Sequence, residues 1–135
     1  MCTFVFLMLV SFFVPSTMGV VNPTCANGTD IEVSDIIVEI ANITQPFYTV
    51  PGGTFQGPVL VNGNVTIGSF GTAEFDLVNV YPFSVDVNGT DVIIAADWIL
   101  SSCCSNGTAC GGGFQFLQTE TSGTMLVVKH ASCES

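Results

Sequence analysis

Apolar residues recur at every second position through most of this chain. That period suits extended strands with one buried face and does not suit helices. In residues 35–44, Ile36, Val38 and Ile40 share one face. Pro58–Val61 and Val65–Phe70 flank Asn62-Gly63, a dipeptide suited to a type I′ hairpin turn. Ala73, Phe75 and Leu77 alternate with Glu74, Asp76 and Val78, which sends the two carboxylates out to solvent. Phe83, Val85 and Val87 lead to a second hairpin signal, Asn88-Gly89, from which Val92, Ile94, Ala96 and Trp98 return. Beyond Gly111-Gly112-Gly113, Phe114 and Phe116 start a strand on which Met125–Val128 pairs back across Ser122-Gly123. No stretch of ten residues reads as a 3.6-residue period. The expectation is an all-β, antiparallel domain of about eight short strands, built as a sandwich, curved sheet or flattened barrel.

Two details follow from that register. Trp98 shares the face of Val92, Ile94 and Ala96 and is expected inward, near the cysteines, as a buried core aromatic. Asp86 and Asp91 would oppose each other across a two-residue Asn88-Gly89 loop, where like charges repel. A longer loop relieves this, as would a cation held by Asp86, Asn88 and Asp91.

The first nineteen residues read as a signal peptide. Phe4–Val14 is uncharged but shorter than the roughly 20 apolar residues that span a bilayer. Pro15 ends it, and Thr17-Met18-Gly19 places small residues at the −3 and −1 positions of a cleavage site after Gly19. Residues 20–135 are then one secreted, extracellular domain that does not span a membrane. Sequons at Asn27, Asn42, Asn64, Asn88 and Asn106 make it an expected glycoprotein.

Removal of Cys2 with the leader leaves Cys25, Cys103, Cys104, Cys110 and Cys133. Neighbouring cysteines rarely bond to each other, so Cys103 and Cys104 take different partners. One closes the short turn to Cys110, and the other reaches Cys25 or Cys133. The odd thiol would be the link in a disulfide-linked dimer. Zinc does not fit, because there is no C-x-x-C pair and the single histidine is His130.

The net charge of −10 comes with one basic residue, Lys129, so the chain has nothing to neutralise phosphates, and nucleic acid is not an expected partner. A nucleophile needs a base held by a carboxylate, and His130 sits near the C-terminus with no nucleophile elbow in the chain. No catalytic residue, metal ligand or cofactor site is read from the sequence, and the protein is not expected to be an enzyme. What stands in excess is aromatic apolar surface. Phe70, Phe75, Phe83, Trp98 and Phe116 are the candidates to line a site for a hydrophobic small molecule or lipid.

The run from Phe55 through Gly57, Val65, Ile67, Gly68 and Phe70 to Phe75 and Val80 resembles a rhythm in secreted arthropod lipid-binding proteins. These are the takeout and juvenile-hormone-binding proteins and the group 7 mite allergens. The resemblance implies a curved sheet wrapped on a long helix around an apolar tunnel, although family members are about twice this length. The function expected is lipid or small-molecule binding without catalysis. The alternative is an extracellular structural or recognition module acting by protein–protein contact.

Overall fold

A computed structural model describes residues 23–105, 107–117 and 123–131. In chain order the elements are β1 (Thr24–Cys25), β2 (Ile31–Glu32), α1 (Val33–Ala41), β3 (Phe47–Val50), β4 (Thr54–Gln56) and β5 (Val59–Val61). They continue as β6 (Asn64–Phe70), β7 (Ala73–Asn79), β8 (Val85–Asn88), α2 (Gly89–Cys103), β9 (Ala109–Cys110), β10 (Gly113–Phe116) and β11 (Thr124–His130). Strands dominate and every pairing is antiparallel. The main sheet has the order β1-β10-β11-β7-β6, and two-stranded ribbons form from β2 with β9, β3 with β8 and β4 with β5. No closed barrel forms among the described residues. The strand-rich, antiparallel, disulfide-stapled class expected from the sequence is what the chain adopts.

Of the two centre strands, β7 carries the alternation as read, and β11 pairs with it along its length. Phe75 lies opposite Val128 and Leu77 opposite Leu126 on one face, with Val78 opposite Met125 on the other. The first face holds the main core. There Ala73, Phe75, Leu77, Leu126 and Val128 meet Ile36 of α1, Val92, Ala95, Ala96 and Ile99 of α2, and Tyr48 and Val50 of β3.

Both helices fall where strands are expected. In α1 the core-facing apolar positions are Val33, Ile36 and Ile40, a spacing of three and four that puts them on one helical face, while Ile37 and Val38 are exposed. The Ile36/Val38/Ile40 alternation is a coincidence of the same residues: Ile36 is buried and Val38 exposed. A relay fixes the start of α1 to the β6–β7 turn. The Asp35 carboxylate accepts from the Thr72 backbone N–H and hydroxyl, both at 2.8 Å, while the Thr72 hydroxyl accepts from the Glu32 N–H. Gly71 makes that turn at φ 58° and lies against Asp35, where a Cβ would collide with the carboxylate.

Asn88-Gly89 starts α2 instead of turning a hairpin. The Asn88 side-chain oxygen accepts from the Thr90 N–H at 2.9 Å, an N-cap, and Asp91 sits in the first turn where a negative charge is favoured. Asp86 stays on β8 and accepts from the Thr49 hydroxyl at 2.7 Å, so the opposition of Asp86 and Asp91 never arises. Trp98 consequently lies half-buried on α2, not inward on a strand. Asn62-Gly63 is likewise a corner between ribbons. β5 pairs with β4 and β6 pairs with β7, while Gly63 packs on the backbone of Asn79 too closely for a Cβ.

The cap at Asn88 can be separated from its sequon. Asn88→Asp keeps an acceptor for the Thr90 N–H, whereas Asn88→Ala removes it at a cost of about 1 kcal/mol. Urea denaturation of protein made without glycans should give a lower midpoint for the Ala variant alone.

Two disulfides secure these layers. Cys25–Cys103 ties β1 to the last residue of α2, and Cys104–Cys110 closes the short turn after it. Cys103 and Cys104 thus take different partners, as expected for neighbouring cysteines. Cys2, Cys133 and the whole of the leader read from the sequence lie outside the described residues.

Candidate functional site

The five aromatic candidates do not converge on one place. Phe75 is fully buried in the main core beneath the helices. Phe70 ends β6, 45% exposed, and Phe83 lies in the loop before β8, 57% exposed and stacked on Tyr81 with centroids 5.2 Å apart. Trp98 is on α2. Phe116 is on the far face of the main sheet, against a different cluster from Phe75. A single site lined by all five is therefore corrected by the fold, because strand alternation sends Phe75 and Phe116 to opposite sides.

The face of Phe116 is the more informative one. Across the sheet its residues form two rows. Phe116, Met125 and Val78 stand side by side with Asn64, and Phe114, Val127 and Asp76 stand beside them with Thr66. Val78, Met125 and Val127 are buried, and Leu60, Val80, Phe114 and Phe116 pack against them as a second apolar cluster. Phe114 and Phe116 meet edge to face with centroids 6.4 Å apart. Leu60 comes from the β4–β5 ribbon and overhangs one end. Asn79 anchors the loops behind it, donating to Pro51 and Phe83 carbonyls at 3.2 and 2.8 Å and accepting from the Tyr81 N–H at 2.9 Å.

One corner of this face is ionic. Lys129 pairs across the strands with Glu74, and its Nζ lies 3.0 Å from Asp76 Oδ2 and 3.6 Å from Glu74 Oε2. Asp76 is only 4% exposed, and its other oxygen, Oδ1, is buried with no hydrogen-bond partner. Glu74 and Asp76 do not point to open solvent, as the alternation alone suggests. Their face of β7 is covered, and Lys129 is spent on them. Burial pushes the Glu74 carboxyl up, the hydrogen bond and charge of Asp76 add to this, and Lys129 and Thr66 oppose it. For Lys129, burial alone would lower the pKa, but Asp76 and then Glu74 outweigh it and the net direction is upward.

A second buried carboxyl, Glu39 of α1, sits against β6 at its bulge, where a Cβ at Gly68 would collide with the carboxylate. Burial raises its pKa, with Asn42 opposing. Asp35 moves the other way, lowered by the Thr72 N–H and hydroxyl against some burial. These directions set the pH dependence. Glu39 and Glu74 bind protons more tightly folded than unfolded, so their contribution to stability is complete below the ordinary 4.5 and lost as pH rises through their raised values. Asp35 contributes above the ordinary 3.8 and is lost below it. The urea midpoint should therefore rise as pH falls through the raised values of Glu39 and Glu74 towards 4.5; a midpoint that falls on the approach to 4.5 would refute these directions.

Of the sequon asparagines, Asn27, Asn42, Asn64 and Asn88 are exposed, and Asn106 lies outside the described residues. No group of three or more His, Cys, Asp and Glu residues that could hold a metal ion occurs among the described residues. No helix among them is long and apolar enough to cross a membrane. Compared with protein-family models, curated proteins and solved structures, the chain shows no match.

The far face could have been found in the sequence. Phe114, Phe116, Met125 and Val127 lie on one face of the β10–β11 hairpin, opposite the face of Leu126 and Val128.

Proposed function

We propose that this protein is a secreted, glycosylated, non-enzymatic binder of a hydrophobic small molecule or lipid, seated on the far face of its main sheet. The observation that carries this reading is the second apolar cluster of Val78, Met125, Val127, Phe114 and Phe116 on the side away from both helices. A sheet with one core face normally turns polar side chains outward on the other. The two disulfides suit an oxidising compartment. The likeness of residues 55–80 to arthropod lipid-binding proteins spans β4 to β7, whose Leu60 and Val78 belong to this cluster. Native mass spectrometry of protein secreted from cultured cells tests the reading: a stoichiometric apolar adduct that exchanges with added lipid supports it. Failure of fatty acids, sterols and phospholipids alike to bind would end it.

Contact with another protein is the second reading. It is favoured by the exposed Phe47 and Phe83, 59% and 57% accessible. A covalent dimer on a non-reducing gel that vanishes on reduction would support it, and a clean monomer would remove the expected link through the odd thiol.

A further inference from the structure

The apolar face ends in a buried acceptor without a donor, and this gives the ligand a chemistry. We infer that the ligand of the far face is an amphiphile whose head donates hydrogen bonds, an alkyl ammonium or a hydroxyl, and that Asp76 with Glu74 receives it. The inference rests on the lipid-binding reading above and specifies its head group. Asp76 lies directly beside Val127 and in the row of Phe114, so an apolar chain on the half-buried Phe114 and Phe116 has one end towards the Asp76 carboxylate. Lys129 engages Oδ2 at 3.0 Å, and Oδ1 remains buried and unpartnered. An unsatisfied buried acceptor of this kind costs free energy that a donor from the ligand would recover.

The charge count points the same way. Two carboxylates face one ammonium, leaving the ionised corner at −1 within a chain of net charge −10. A fatty carboxylate brought there adds a third negative charge and offers no donor. An ammonium supplies both the missing donor and the missing charge, and a hydroxyl supplies the donor. The groups facing the corner from the sheet are Thr66, which donates to Glu74 at 3.4 Å, Ser69, paired opposite Glu74, and Lys129.

Competition against N-phenyl-1-naphthylamine, a neutral fluorescent probe of apolar sites, separates the outcomes. Dodecylamine, dodecan-1-ol and dodecanoate share one chain and differ only in the head. At pH 7 the amine should displace the probe at about tenfold lower concentration than dodecanoate, with the alcohol between them, as expected for a hydrogen bond to a charged group. Asp76→Asn should narrow that ratio towards unity. Glu74→Gln, at the less buried position, should narrow it in part, and it serves if the Asp76 variant does not fold. If dodecanoate displaces as well as the amine and neither variant changes the ratio, the head-group inference is wrong while the binding reading stands. If none of the three displaces a bound probe, or the probe does not bind, the binding reading itself fails.

Discussion

Replacing Phe75 by Ala lowers the free energy of unfolding by about 3–5 kcal/mol, the range for truncating a large aromatic in a packed core. Phe75 has no exposed surface and lies opposite Val128, beneath the helices, in the cluster that also contains Ile36, Ala96 and Ile99. A small domain holds about 5–15 kcal/mol in all, so the variant is expected to yield little folded protein. The fraction that folds should bind the fluorescent probe as tightly as the parent, because Phe75 faces away from the proposed seat. Urea denaturation and probe titration of the same sample measure both quantities. A stable variant with weakened probe binding would mean that the faces have been assigned the wrong way round.

The second large effect concerns the longer disulfide. Cys25–Cys103 joins residues 78 apart in sequence, and Cys104–Cys110 joins residues 6 apart. Loop-closure entropy in the unfolded chain then assigns about 4.5 kcal/mol to the first link and about 2 kcal/mol to the second. The double variant Cys25→Ser/Cys103→Ser should therefore lose roughly twice the stability of Cys104→Ser/Cys110→Ser. Denaturation midpoints under non-reducing conditions give the comparison. Equal losses would indicate that the unfolded chain stays compact near α2 or that the short link is the more important packing element.

The sheet was legible because each of its centre strands carries a recognisable strand pattern. Ala73–Leu77 alternates apolar with charged residues, and the continuous apolar run Met125–Val128, bounded by turn signals, reads as a strand buried on both faces that returns on Phe114 and Phe116. The helices were not legible, for a local reason in each case. Val33, Ile36 and Ile40 are β-branched, with strand propensity, and the intervening Val38 gives a false two-residue period. Asn88-Gly89 is a hairpin dipeptide by composition, yet Asn is also a strong N-cap, and only tertiary packing chooses between the two. The Ala95-Ala96 pair in α2 was the available counter-signal, since Ala is the best helix former.

The candidate site was half legible. An excess of aromatic residues is visible in the composition, but which of them share a face depends on register, and a helix in place of a strand moved Trp98 to another layer. The ionic corner was misread for a different reason. Glu74 and Asp76 do alternate away from the main core, as charged residues on a strand should. Nothing local reveals that their face is itself apolar elsewhere and that the only basic residue of the chain is placed opposite them.

Photo-crosslinking tests the central claim, that the far face of the sheet is the ligand seat, most directly. A dodecyl alcohol carrying a chain-terminal diazirine would be irradiated with the purified protein, with and without excess unlabelled alcohol, and the adducts mapped by peptide mass spectrometry. A ligand seated there gives saturable labelling in Phe114–Phe116, Met125–Val127 and around Leu60. Saturable labelling confined to α1, α2 or the exposed Phe47 and Phe83 would contradict it.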